Sequence, residues 1–121
     1  MDFDINEFDI DVANEVKDMV GDRFSTMIEY YVEDAENYIN AIKSGLESGN
    51  KEQVAQSAHP LKSSSRSMGG MGIGSIAEHV EHTAKQAMET GADIDELNNI
   101  IPLIEEAFVN IKGRLESLLK G

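Results

Sequence analysis

The sequence predicts an all-α fold, an antiparallel four-helix bundle with a short additional helix at its N-terminal end. Three observations carry this expectation. Apolar residues recur at three- and four-residue spacing through four long stretches, polar breaks containing glycine or aspartate separate those stretches, and none of the 121 residues fall into strand-like alternation. Amphipathic helices joined by short connections bury their stripes against one another as antiparallel neighbours. A chain of this length is expected to form one domain, 1–121, around a single core.

Residues 1–10 are acidic with Phe3, Ile5, Phe8 and Ile10 interleaved, and are expected to lie across the domain as a lead-in segment. Asp11 is read as the N-cap of a short first helix that carries Val12, Val16, Met19 and Val20 and is interrupted by Gly21. Asp22 offers a cap for the longest stretch, in which Phe24, Met27, Ile28, Tyr31, Val32, Ala35, Tyr38, Ile39, Ile42 and Leu46 keep helical spacing as far as Ser48-Gly49-Asn50. Glu29, Glu33, Asp34, Glu36 and Lys43 occupy its opposite face, as a bundle helix requires.

The third helix starts near Lys51 and aligns Val54, Ala58, Leu61, Ser65 and Met68 within roughly 80° on a helical wheel. Pro60 stands inside it, where it removes the hydrogen bond to the Gln56 carbonyl at a cost of ~3 kcal/mol. Either one kinked helix runs through, or a fresh helix starts with Pro60 at its first position. The unbroken phase of the stripe favours the kinked helix. Gly69, Gly70, Gly72 and Gly74 are read as a flexible connection to a fourth helix, which carries Ile73, Ile76, Ala77, Val80, Ala84 and Met88 and stops at Thr90-Gly91. Glu78, His79, Glu81, His82 and Lys85 form its polar face. Asp93 or Asp95 caps the last helix, whose stripe runs from Leu97 through Ile104, Phe108 and Ile111 to Leu118, with Pro102 marking a bend or a late start.

Composition narrows the function. The hydrophobic content of 40% and charged content of 27% are those of a soluble globular protein. The absence of cysteine excludes disulfides, zinc–thiolate sites and thiol catalysis. With no basic segment leading into an apolar run and no stretch near the ~20 apolar residues of a membrane span, the expected location is the cytoplasm. Against 10 basic residues stand 23 acidic ones, a net charge of −13, which repels phosphate backbones and anionic lipid. Neither nucleic acid nor membrane is therefore an expected partner; another protein or a small molecule is.

The stretch Gln56 to Gly70, QSAHPLKSSSRSMGG, departs from plain amphipathic patterning. His59 falls well outside the apolar stripe, and its helical neighbours Gln56, Lys62, Ser63 and Arg66 are all polar. An imidazole, with an ordinary pKa near ~6.5, offers a nucleophilic nitrogen near neutrality. It can attack phosphorus, and Lys62 one turn away would offset the arriving negative charge. Arg66, a further turn on, could hold the group or an acidic partner; Ser63 points beside the imidazole and Ser64 away from it. Spacing alone fits an ordinary surface histidine at least as well.

The other constellations point to less. His79 and His82 stand at i, i+3 without the Glu-x-x-His pair of a di-metal bundle or an HExxH motif, so they read with Glu78 and Glu81 as a solvated face and no metal is expected. No strand, GxxxxGK[ST] or GxGxxG supports a nucleotide loop around the glycines, and Ser63, Ser64 and Ser65 lack the partners of a hydrolase.

Ala58-His59-x-Leu61-Lys62-x-Ser64-Ser65, followed by Met68-Gly69-Gly70-x-x-Ile73-x-x-Ile76-Ala77-x-x-Val80-Glu81, resembles the signature of histidine-containing phosphotransfer (HPt) domains. Val20-Gly21-Asp22, Asp34-Ala35, Gly49 and Gly91-Ala92-Asp93 extend the similarity over most of the chain. The resemblance implies a four-helix bundle plus a short N-terminal helix, His59 as phosphoryl acceptor and Lys62 as the lysine supporting the phosphohistidine. It makes Ser63, Arg66 and Gln56 candidate contacts to the phosphoryl group or a receiver domain. The implied partners are response-regulator receiver domains and a hybrid sensor histidine kinase, with docking around His59 on the second and third helices. The module would be a monomer with no cofactor of its own, magnesium residing on the receiver. Two residues depart from the family pattern: Ser63 stands where glycine is usual, and Pro60 directly follows the histidine. The Ser63 departure also keeps open a non-catalytic adaptor that docks without transferring phosphate.

Overall fold

A computed structural model describes residues 3–120; Met1, Asp2 and Gly121, at the ends of the expected 1–121 domain, lie outside the described residues. The helices are α1 (Ile10–Val20), α2 (Phe24–Ser48), α3 (Lys51–Ser67), α4 (Met71–Thr90) and α5 (Ile101–Lys120). The last four form an antiparallel bundle in which α2 packs on α3, α3 on α4, α4 on α5 and α5 back on α2, while α1 lies against α2. Phe24, Ile42, Leu61, Ile73, Ile76, Leu97, Ile104 and Leu115 fill the centre. These residues belong to the stripes that the spacing predicts, because each helix turns its apolar stripe toward the others.

The helix ends follow local chemistry. Asp9, rather than Asp11, caps α1, its carboxylate accepting from the amides of Asp11 and Val12 at 3.1 and 3.2 Å. Asp22 caps nothing, because it lies in a tight 3₁₀ turn, Gly21–Arg23, that leads straight into α2. Asn50 caps α3 by accepting from the Gln53 amide at 3.0 Å. The final apolar stretch divides: Asp95–Ile100 form a 3₁₀ segment and α5 starts at Ile101, so Pro102 falls in its first turn, where a missing N–H leaves no hydrogen bond broken.

Pro60 does not divide α3, which runs unbroken from Lys51 to Ser67. Its ring removes the donor for the Gln56 carbonyl, and Gln56 is exposed, so solvent is a ready substitute. On the opposite side of the helix, Ser65 is fully buried and its hydroxyl lies 2.7 Å from that of Tyr31 on α2. Burial pushes the Tyr31 hydroxyl up to about 12, against the smaller opposing pull of the Ser65 bond.

The glycines between α3 and α4 are close-packed rather than a flexible connection. Gly69 sits at φ 91°, in the left-handed region, and a side chain there would meet the Asp9 carbonyl. Gly72 and Gly74 belong to α4 itself. A Cβ on Gly72 would strike the backbone of Asp4 and Ile5, and one on Gly74 the side chain of Arg66. The segment before α1 is thereby strapped across the α3–α4 turn, with the Asp9 amide donating to Gly69 at 2.8 Å and the Gly72 amide to Glu7 at 2.9 Å. Phe8 beneath the Arg114 guanidinium, 5.5 Å from the ring centre, and Asn6 bonded to Asn110 at 2.8 Å extend the strap onto α5.

Gly72→Ala is expected to lower stability by about 2 kcal/mol, because the atom it must displace is backbone. Gly113→Ala, in open space on α5, is expected to raise it by about 0.5–1 kcal/mol through helix propensity. Tyr31→Phe, which strands the buried Ser65 hydroxyl, should cost about 1 kcal/mol. Midpoints of urea denaturation measure all three.

Candidate functional site

The packing of α3 on α4 brings four charged or titratable side chains together. His59 and Lys62 are one turn apart on the edge of α3, and Glu81 and Lys85 are one turn apart on the facing edge of α4. The Glu81 carboxylate accepts from His59 Nδ1 at 2.8 Å and from Lys85 Nζ at 3.0 Å on one oxygen, and from Lys62 Nζ at 2.8 Å on the other. Only 6% of the Glu81 side chain is exposed, against 61% of His59. Burial raises the pKa of a carboxylate, but the bonds from Lys62, Lys85 and His59, with the charge of Lys62, outweigh it and bring Glu81 down to about 2.

That ionised carboxylate selects the tautomer of the imidazole. A carboxylate only accepts, so in the neutral ring the proton belongs on Nδ1, and Nε2, on the other side of the ring, carries the lone pair. An exposed histidine thus has one nitrogen anchored to the scaffold and the other available to an incoming electrophile.

Glu81 is the residue that the sequence reading placed wrongly, on a solvated face. It is buried because the edge of α3 that carries Lys62 and His59 closes over it. A signal was present: on the α4 wheel Glu81 lies roughly 20° from Met88 and 40° from Ala77, at the margin of the apolar stripe. A carboxylate at such a margin needs donors from a neighbouring helix, and α3 supplies them.

The remaining expected site residues separate from this cluster. Arg66 is bonded to Glu78 at 3.0 Å, which with its charge lowers the Glu78 pKa, and its stem lies over Gly74. Ser63 donates to the backbone carbonyl of His59 at 3.3 Å, so its hydroxyl is engaged along its own helix, as is that of Ser64 with Leu61 at 3.4 Å. Gln56 is bonded to Glu52 at 3.0 Å and borders a groove beside His59. That groove, of about 410 Å³, runs between α3 and α4 rather than α2 and α3; Ala55 and Met88 are its apolar wall, and His59, Glu81 and Lys85 its polar one. His79 packs its ring against Phe3 at 5.7 Å, and no group of three or more metal-ligating side chains is found among the described residues.

Residues 26–112 match the family model of the Hpt domain. A search of curated proteins gives no match. Among solved structures, the chain is similar to the crystal structure of histidine-containing phosphotransfer protein B (HptB) from Pseudomonas aeruginosa PAO1, with a TM-score of 0.81 over 92% of each chain. Sequence identity is 17%, so this likeness is one of fold.

The electrostatics predict an acid limb in stability. A carboxyl whose pKa falls from 4.5 to about 2 on folding stabilises the native state fully above its ordinary value, and that contribution is lost as pH drops from 4.5 toward 2. Glu81→Gln should cost about 1–3 kcal/mol near neutrality, with the deficit shrinking across that acid window. Denaturation of both proteins over a pH series measures it; parallel curves would exclude the assigned role.

Proposed function

This chain belongs to the Hpt domain family, and from that premise we propose that His59 is the residue on which this phosphotransfer module carries its phosphoryl group. The donor is the phosphoaspartate of a response-regulator receiver domain and the acceptor the aspartate of another, a hybrid sensor histidine kinase supplying the first. Magnesium belongs to the receiver in this reading. One chain contributes the nucleophile, the carboxylate and the cations, so the module works as a monomer, and the cytoplasm is the compartment proposed for it.

The observation that carries the reading is the 2.8 Å bond from His59 Nδ1 to the buried Glu81, on a ring whose side chain is 61% exposed. In the transfer step the Nε2 lone pair attacks phosphorus, an N–P bond forms, the P–O bond to the aspartate breaks, and the electron pair leaves on the aspartate carboxylate. The Nδ1 proton stays where it is. The ring consequently becomes cationic, and the Glu81 carboxylate 2.8 Å away offsets that charge. A protonated ring is also a good leaving group, which favours passing the phosphoryl group onward. Lys62, held on Glu81, lends positive charge within one turn of the arriving dianion. Ser63 adds little bulk at the position where glycine is usual, and its hydroxyl is turned to the helix backbone.

Incubation with a phosphorylated receiver domain should place acid-labile, base-stable label on the protein and none on His59→Gln; label persisting on that variant would refute the assignment. Lys62→Ala should retain the helical fold by circular dichroism while transfer slows about tenfold, the effect of one charge-assisted hydrogen bond. Receiver binding without any transfer by the native protein would favour the adaptor reading instead.

A further inference from the structure

Glu81 holds two lysines, and the phosphotransfer reading uses only Lys62. The second, Lys85, comes from α4 and meets the same carboxylate oxygen as the imidazole, with Nζ at 3.0 Å and Nδ1 at 2.8 Å from Oε2. Lys62 sits on the other oxygen, Oε1. Their surroundings also differ. The Lys62 side chain is 20% exposed, while that of Lys85 is 59% exposed. Lys85 lines the groove beside His59, where Lys62 is absent, and also borders the neighbouring hollow with Lys62, Glu78 and His82.

We propose that Lys85 is the cation that leaves Glu81 to bond the phosphoryl oxygens once His59 is phosphorylated, while Lys62 stays on Glu81 and acts by its charge alone. The proposal rests on the reading of His59 as the acceptor. Before transfer, two lysines and a carboxylate leave one net positive charge at the seam. Transfer adds a dianion on Nε2 and a positive charge on the ring. If both lysines stayed on Glu81, that carboxylate would be bonded by three cationic donors while the dianion was bonded by none. Moving one lysine divides the charges evenly: Glu81 keeps Lys62 and the ring N–H, and the phosphoryl group gains Lys85. The lysine that moves is the one with less to lose, since an exposed ion pair holds weakly and a bond to a phosphoryl dianion is stronger. Lys62 is covered by the helix seam, and Arg66 lines neither of the hollows that Lys85 borders.

The test uses phosphoramidate, a small-molecule donor that requires no receiver, followed by phosphorus NMR of the phosphohistidine over a pH series. A cation on the phosphoryl oxygens favours the dianion, so Lys85→Ala should raise the protonation midpoint of the group by about 0.5 pH unit or more. Lys85→Arg should return most of that shift. Lys43→Ala, which removes the same charge from a pair with Glu105 between α2 and α5, should leave the midpoint in place. A midpoint unchanged in Lys85→Ala, or moved equally in Lys43→Ala, overturns the assignment while leaving His59 as acceptor. A phosphohistidine signal equally strong in His59→Gln overturns the acceptor reading and this proposal together.

Discussion

The buried carboxylate of Glu81 is the constraint on which the site depends. An ionised acid at a helix seam is tolerable only when donors surround it, and here they come from both helices: Lys62 and His59 from α3, Lys85 from α4. Because the partners are divided in this way, the carboxylate reports on the register of α3 against α4. A slip of one turn would separate it from its α3 donors and leave a buried charge. The same arrangement that makes Glu81 tolerable therefore fixes where the imidazole stands.

The close approach that this requires is built nearby. Gly72 and Gly74, one on each side of Ile73, remove side chains from the start of α4, so that the strap at Asp4 and Ile5 lies on one and the stem of Arg66 on the other. Tyr31 and Ser65 tie the opposite side of α3 to α2 through a buried hydroxyl pair. Between these two attachments α3 runs as one continuous helix through Pro60, and a side chain on a packed helix keeps its geometry better than one on a loop. The His59 imidazole is exposed because the apolar stripe of its helix faces elsewhere.

Much of the architecture was legible in the chain. The stripe from Val54 to Met68 kept one phase through Pro60, and the structure has a single helix there. The exposure of His59 and its proximity to Lys62 follow from helical spacing alone. The glycines were harder to read: Gly72 and Gly74 look like a loop in composition, and only the Asp4 carbonyl and the Arg66 stem standing over them show why helix α4 needs them bare. Asp11 was read as the cap of α1, and only the course of the chain before α1 shows that Asp9, two residues earlier, holds that place. Arg66 stood at the right spacing to assist His59, yet Glu78 on the next helix claims it.

What the sequence determined by itself is whatever depends on neighbours within a turn or two: five helices, the face that each buries, and an imidazole turned outward beside a lysine. Periodicity encodes these directly. What only the tertiary structure decided is the identity of the group on the other side of that imidazole. Glu81 lies 22 residues from His59, and no local rule connects them. Helix packing brings them to 2.8 Å, and electrostatics then determines which ring nitrogen keeps the proton.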